Sequence, residues 1–352
     1  MTSPPTPIPS PLSRGTSGEG GGVAAACAPR SGVRPGRVRV GVRIRYNAPV
    51  LTGKRMSDSS SNPAHWRNAP PKRVIVFYHP KVEESEALAG TMVDYLSRRL
   101  GEAVSGASLQ DSEARARIAG QDLIVVVGGD GSMLRSGRLA ASHGVSVLGV
   151  NAGRLGFLAE VQPEEWPQVL DRVLAGDYWI EERMMLGVEL WRDGQCLEAF
   201  EALNEAVISR GAVARPVRLK TMIDGGELTT YVADGLIIAT PTGSTAYALA
   251  AGGPILPPEL KNILLIAIAP HLSLDRAIVL AQGATVEVVV RTEHQAVLTA
   301  DGHVEMALHD GDRVCVRMSE HLTRFVRVQP TTYFYKSLMA RMAQNPSADK
   351  SK

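Results

Sequence analysis

The stretch LIVVVGGDGSML, residues 123–134, sets a single carboxylate among three glycines. Leu123 to Val127 is a short β-branched run without alternation, the pattern of a strand buried on both faces, and Ser132 onward reads as a helix start. In an open α/β sheet, ligands gather beyond the carboxyl ends of the strands. Gly128 and Gly129 permit a sharp turn with bared N–H groups, and Gly131 lets a ligand approach the backbone. The following helix turns its positive end toward the same place, which favours phosphate. Arg135, one turn further on, adds a cation. A carboxylate beside phosphates has three open roles: Asp130 holds a hydroxyl, takes its proton, or binds a metal. The plainer alternative is a tight turn whose aspartate caps the helix. The better-known phosphate loops, GxxxxGK[ST] and GxGxxG, do not follow this strand.

Three further stretches carry polar groups in apolar surroundings. In ADGLIIATPTGSTAYALAAGGPIL (233–256), Asp234 and Gly235 open an apolar strand. Thr240, Thr242, Ser244 and Thr245 then crowd together with Pro241 and Gly243. Hydroxyls at this density offer many donors to a flat ligand. A short helix beginning near Thr245 would aim its N-terminus at that ligand, with Tyr247 placed to stack on a base or ribose. In FEALNEAVIS (200–209), Asn204 and Glu205 interrupt what reads as a buried strand, where an amide and an acid are costly unless paired. In TADGHV (299–304), Asp301 and Gly302 read as a turn and His303 looks toward a cleft or water. The other histidines suggest neither a metal site nor a nucleophile relay, and TGSTA lacks the nucleophile-elbow pattern.

Elements with two different rhythms must position these residues. RVIVFYHP (73–80) reads as a strand and residues 83–100 as an amphipathic helix stopped at Gly101. A shorter helix over EARARI, the strand before Asp130, a helix to about Ser142, the strand VSVLGV (145–150) and a helix over 164–176 follow. Alternating strands and helices predict a mostly parallel sheet covered on both faces. After Tyr178 the pattern becomes antiparallel, with hairpin turns at Asp193-Gly194 and Asp224-Gly225-Gly226 and strands continuing to about Met318. A last helix over TTYFYKSLMARMAQ is expected to return to the first domain. The expected division is a leader (1–70), an α/β nucleotide-binding domain (71–177), a β-rich substrate-binding domain (178–328), and the closing helix and tail (329–352).

The totals limit the function classes. The chain has 352 residues, enough for two cores, and a formal net charge of +2, which makes nucleic acid a poor partner. No apolar run is long enough to span a membrane. Cys27, Cys196 and Cys315 match no metal or redox spacing, which fits reduced thiols in the cytoplasm. Residues 1 to about 70 are rich in Pro, Gly, Ser and Arg, with Glu19 the sole acid before Met56. Such a leader lacks the apolar surface to fold alone. It reads as a disordered tail, or as translation assigned from too early a start with Met56 the real one, in preference to a transit peptide.

GGDGSML, NAGRLGFLAE (151–160), the Asn204-Glu205 pair and DGLIIATPTGSTAYALAAGGPI occur in an order and at separations that together resemble the ATP-dependent NAD kinases, over roughly residues 72 to 340. GGDG alone is shared with lipid kinases and phosphofructokinases; NAGRLGFLAE and the long Thr/Gly/Ser stretch are far more specific. The resemblance implies an N-terminal α/β domain with a Rossmann-like or phosphofructokinase-like parallel sheet and a β-rich C-terminal domain. It also implies transfer of the γ-phosphoryl group of ATP, or in some members of polyphosphate, to the 2′-hydroxyl of the adenosine ribose of NAD.

By the same resemblance Asp130 is the base and ribose-hydroxyl ligand, Gly131 its backbone partner and Arg135 a nucleotide contact. Asn204 and Glu205 hold the second nucleoside, and Arg215 and Asp234 are further substrate contacts. Thr245, Ala246, Tyr247, Ala248, Leu249 and Ala250 line the adenine and ribose pocket, and His303 lies near the substrate. ATP is expected with Mg²⁺ bound chiefly by its own phosphates and with no protein metal ligands. A homodimer or homotetramer is expected, without nucleic acid or membrane partners. Val232 departs from the basic residue that many members carry two positions before the aspartate of the long motif. The rival readings are a lipid kinase of the GGDG superfamily and a nucleotide sensor without turnover.

Overall fold

The computed structural model describes residues 68–152, 156–212, 215–271 and 274–343. The readings made for the leader, including Met56 and Cys27, lie outside the described residues. The first part alternates as expected. It runs β1 (Val74–Tyr78), α1 (Glu83–Leu100), β2 (Val104–Ser108), α2 (Ser112–Ala116), β3 (Leu123–Gly128), α3 (Asp130–Ala141), β4 (Ser146–Asn151) and α4 (Trp166–Leu174). The four strands are parallel in the order β2-β1-β3-β4. The sequence reading missed β2, whose VSGAS is too small and polar to show a strand pattern; it is an edge strand.

Both faces of this sheet are covered, so β3 shows no alternation: all six of its residues are buried. Ile75, Phe77, Ile124 and Val126 pack with Met133 and Ala140 of α3. Val74, Val76, Val125 and Val127 pack with Met92 and Leu96 of α1 and with Leu170 and Val173 of α4.

The second part continues with β5 (Trp179–Arg192), β6 (Gln195–Ala202), β7 (Glu205–Arg210), β8 (Val217–Ile223), β9 (Gly226–Ala233) and β10 (Gly235–Ala239). After α5 (Tyr247–Ala250) come β11 (Ile263–Ile268), β12 (Ile278–Leu280), β13 (Val286–Arg291), β14 (Ala296–Ala300), β15 (Val304–Leu308), β16 (Arg313–Arg327) and the closing helix α6 (Tyr333–Ala343). Six strands form an antiparallel sheet in the order β12-β11-β10-β7-β14-β15. Leu236, Ile238, Ile208 and Leu298 on its inner face meet Leu186, Val188, Leu219, Val288 and Val316 across the sandwich core.

The two parts share a sheet. The final residues of β16 pair in parallel with β4 at Arg324 and Phe325, while the start of β16 pairs antiparallel with β13. The long strand β5 follows β16 along its length, with a register shift between Met318 and Leu322. β16 was expected to stop near Met318; it continues to Arg327 and joins the first sheet to the second part.

Candidate active site

Asp130 is the first residue of α3 rather than part of the preceding loop. Gly128 must be glycine, because a Cβ there would lie 2.5 Å from the Ser132 hydroxyl. Gly129 and Gly131 have nothing near the position a Cβ would take, and both are exposed. The Asp130 carboxylate accepts two backbone N–H groups, from Phe157 to Oδ2 at 2.7 Å and from Leu158 to Oδ1 at 3.0 Å. A Cβ on Gly156 would lie 2.1 Å from Oδ1, so the chain passes this close only because residue 156 has none. Gly156, Phe157 and Leu158 of the NAGRLGFLAE stretch therefore supply the other half of the cradle for Asp130. The sequence reading used that motif for resemblance and gave its residues no role.

Arg135 stands over a cleft of about 330 Å³ that it shares with Gly129, Gly131, His79 and His303. A neighbouring cleft of about 370 Å³ is lined by Arg115, Arg135, Arg138, Glu201 and His303. Among the described residues Arg115 donates to the carbonyls of Gln110 and Asp111. Arg138 lies 3.7 Å from the Asp301 carboxylate. Burial and then the Arg115 and Arg138 cations lower the pKa of Arg135. Burial, followed by Arg138 and Arg135, also lowers that of His303. Three guanidinium groups around one cleft repel one another, and an anion placed among them relieves that repulsion.

Asn204 and Glu205 correct one expectation. They do not interrupt a strand; the chain leaves the first sheet after Ala202 and enters the second at Glu205, so the pair sits at the crossing. Asp301 holds it there. Its side chain is fully buried and accepts the N–H groups of Leu203, Asn204 and Glu205 at 2.9, 2.8 and 3.2 Å. Asp301 is in the left-handed region at φ 46°, as the turn reading predicts, but it does more than turn the chain. Glu205 is buried, and its Oε2 has no hydrogen-bond partner. Burial, then the Asp301 charge, pushes its pKa up to about 8, against a backbone N–H from Tyr247 that favours the anion. At neutral pH Glu205 is therefore mostly protonated and able to donate a hydrogen bond.

The hydroxyl-rich loop also departs from its reading. Thr240 donates to the Leu203 carbonyl at 2.6 Å and accepts from Gly243 N–H at 3.0 Å. Ser244 donates to the Pro241 carbonyl and accepts from Leu256 N–H. Thr245 donates to the Thr242 carbonyl. Gly243 passes so close to Asn204 that a Cβ would lie 2.2 Å from its carbonyl oxygen. These hydroxyls brace the loop against the Asn204 crossing. Along α5, Ala248 is fully buried against Ala239 and Leu264 and faces the core, whereas Tyr247 and Ala250 are exposed and Thr245, Ala246 and Leu249 are half-buried.

Asp234 and Arg215 are not brought to Asp130 within one chain. Asp234 pairs with Arg210 at 3.0 Å, at the end of β7 and β10 opposite to Glu205 and Thr240. Arg215 contacts His294 at 3.1 Å beyond the same far end of β14. The length of these strands puts about 15–20 Å between the two ends.

A parallel sheet is fused to a β sandwich, with the Asp130 carboxylate and a group of arginines beside the clefts where the two meet, an arrangement suited to a phosphate-bearing ligand. Residues 74–178 match the ATP-NAD kinase N-terminal domain and residues 203–328 the ATP-NAD kinase C-terminal domain. An NAD kinase of Chloroflexus aggregans is 41% identical over 274 residues, covering 78% of this chain and 99% of that protein. One from Heliobacterium modesticaldum is 43% identical over 268 residues, covering 73% and 93%. The chain belongs to the NAD kinase family. The crystal structure of an Archaeoglobus fulgidus NAD kinase in complex with ATP superposes with a TM-score of 0.60 at 25% identity, covering 77% of this chain and 98% of that one. Yeast NADH kinase complexed with NADH shares the fold, with a TM-score of 0.69 at 23% identity over 80% and 91% of the two chains. These matches do not favour the lipid-kinase alternative.

Proposed function

We propose that this chain transfers the γ-phosphoryl group of MgATP to the 2′-hydroxyl of the adenosine ribose of NAD, forming NADP. The observation that carries the reading is the anchored Asp130 carboxylate at the start of α3, with Arg135 and His303 across the adjoining cleft. An ionised carboxylate has about four lone-pair sites, and two amides leave room for a hydroxyl. Asp130 orients the ribose hydroxyl and accepts its proton as the new P–O bond forms and the bond to the β,γ-bridging oxygen breaks. Arg135 and the positive end of α3 favour the phosphates, with Arg115 and Arg138 alongside. Asn204 and the protonated Glu205 present an amide and a carboxyl donor to the second nucleoside.

Mg²⁺ enters as part of the MgATP substrate; among the described residues no group of three or more His, Cys, Asp or Glu could hold a metal ion. The residues from Thr245 to Ala250 contribute to the nucleoside pocket through backbone and the Tyr247 ring, with Ala248 a core contact beneath them. Gly131 leaves backbone open to the substrate. Asp234 and Arg215 serve a site only when a second copy supplies them, which fits a homodimer or homotetramer. The α/β part (71–177) carries the phosphate end of the site, the β-rich part (178–328) the nucleoside end. No described helix is long and apolar enough to cross a membrane, and we place the enzyme in the cytoplasm.

The test is an assay of the purified chain with MgATP and NAD, following NADP. Asp130→Asn is expected to lower kcat about 10²–10⁴-fold while NAD binding stays within a few-fold. Unchanged turnover removes the base assignment, and phosphorylation of a lipid in place of NAD overturns the substrate.

A further inference from the structure

Behind the Asp130 cradle lie four ionisable side chains, largely buried, that the mechanism above does not use. Arg327, at the end of β16, donates from Nη1 to the Leu158 carbonyl at 2.7 Å, and the Leu158 N–H is one of the two amides that hold Asp130. Arg327 also donates from Nε to Glu181 Oε2 at 2.8 Å and lies 3.9 Å from Glu160. The same Glu181 oxygen accepts Nη2 of Arg183 at 2.8 Å. Arg183 in turn donates from Nη1 to the Thr242 hydroxyl at 3.1 Å, in the loop that braces Asn204. Glu160 accepts the N–H groups of Val328 and Gln329, fixing the chain just past Arg327. Both guanidinium groups flank the buried Phe325 ring, at 5.0 and 5.9 Å from its centroid.

Arg183, Arg327 and Glu160 are 4–6% exposed and the Glu181 side chain 12%. Burial raises the pKa of Glu160, against Arg327 and the two amides that favour its anion. Burial opposes ionisation of Glu181, but Arg327 and Arg183 outweigh it and hold its pKa at about 2. A buried ionic group is a poor device for stability alone, since apolar residues of similar volume often do as well. Its geometry gives it another use. β5 and β16 are the two long strands that run through both parts of the molecule, and the group lies on the stretch where they pair beside the first sheet.

We propose that Arg327 and Glu181 are positioning residues for phosphoryl transfer. Arg327 fixes the segment whose amides aim Asp130, and Glu181 ties that segment through Arg183 to the Thr242 loop. This rests on Asp130 being the base. A displacement of about 1 Å at a reacting group can lower turnover about 10²-fold, so loss of the Arg327 contact falls on kcat, whereas loss of the Arg183–Thr242 contact falls on nucleoside binding.

The full chain is assayed with MgATP and NAD as Arg327→Lys, Asp130→Asn and the double variant, with thermal unfolding followed in each. Arg327→Lys is expected to lower kcat about 10²-fold with KM for NAD within about threefold. In the Asp130→Asn background the same change is expected to lower turnover by no more than about threefold further, because its route to the chemistry is already cut. Thr242→Val is expected to raise KM for NAD by a larger factor than it lowers kcat. A folded Arg327→Lys enzyme with kcat within about twofold of the unsubstituted chain overturns the proposal, and so do losses that multiply in the double variant, the mark of a structural role. Should Arg327→Lys fail to fold, Glu181→Gln passes through the same cycle with the same outcomes for kcat, KM for NAD rising as well because Glu181 also holds Arg183. If Asp130→Asn keeps its turnover, the base assignment falls, and that result is separate from the kcat of Arg327→Lys.

Discussion

Two strand-to-helix passages follow fully buried strands in this molecule, and they use small residues in opposite ways. After β3, Gly129 and Gly131 face open space, and the Asp130 carboxylate is held from behind with lone pairs to spare. After β10, Gly243 is pressed against Asn204, and the Thr240 and Ser244 hydroxyls are committed to the protein's own backbone. The first passage leaves room for a ligand. The second fixes the platform on which Asn204 and Glu205 stand. Glycine marks absence of contact in one and closeness of contact in the other, and sequence spacing alone does not separate the two.

The largest expected effect that tests this contrast is Gly243→Ala. The added methyl overlaps backbone on a segment anchored by Asp301, so neither side yields cheaply; destabilisation of about 3 kcal/mol or more and loss of NAD binding are expected in thermal and denaturant unfolding. A folded variant with an unchanged midpoint would break the contrast. Next comes Asp301→Asn, which removes a buried charge that accepts three amides and replaces one acceptor with a donor. A loss of about 1.5–3 kcal/mol is expected by urea unfolding.

Glu205→Gln sharpens the same comparison through pH. Glu205 ionises in the folded chain near pH 8, against an ordinary value of 4.5, so between these values the folded state binds more protons than the unfolded one. Its contribution is fully present below about pH 4.5 and is lost as pH rises through about 8. The glutamine variant lacks this loss, so its stability relative to the unsubstituted chain is expected to rise across that window. A flat difference from pH 5 to 9 would contradict the raised pKa. The smallest effect on stability is expected for Gly131→Ala. A methyl at the second residue of α3 meets nothing, and alanine favours the helix, so the chain is expected to gain up to about 0.5–1 kcal/mol while KM for the nucleotides rises.

Much of the fold was legible. The unbroken apolar runs at 123–127 and 236–239 are buried strands, and the Asp193-Gly194 and Asp224-Gly225 turns adopt the positive φ that hairpins need. Asn204 and Glu205 were legible as candidates because polar residues stood where apolar ones were expected; Asp130, Gly131 and Arg135 because they follow a buried strand at a helix start; and His303 through the family resemblance. The role of Phe157 and Leu158 was not, because they act through backbone N–H groups that every sequence offers. Nor was the crossing at Asn204, since β6 and β7 read as one strand until pairing assigns them to different sheets.

Local sequence alone set most of the strands and helices, the two Asp-Gly hairpin turns, and that one acid stands at the end of a buried strand. Those properties follow from local sterics and from the period of apolar residues. What surrounds that acid, which hydroxyls remain available, and the raised pKa of Glu205 came from tertiary packing. Those depend on groups brought from far along the chain: Phe157 is 27 residues from Asp130, Asp301 is 96 from Glu205, and Arg327 is 169 from Leu158. Burial strengthens such encounters by removing water, and no local pattern encodes them.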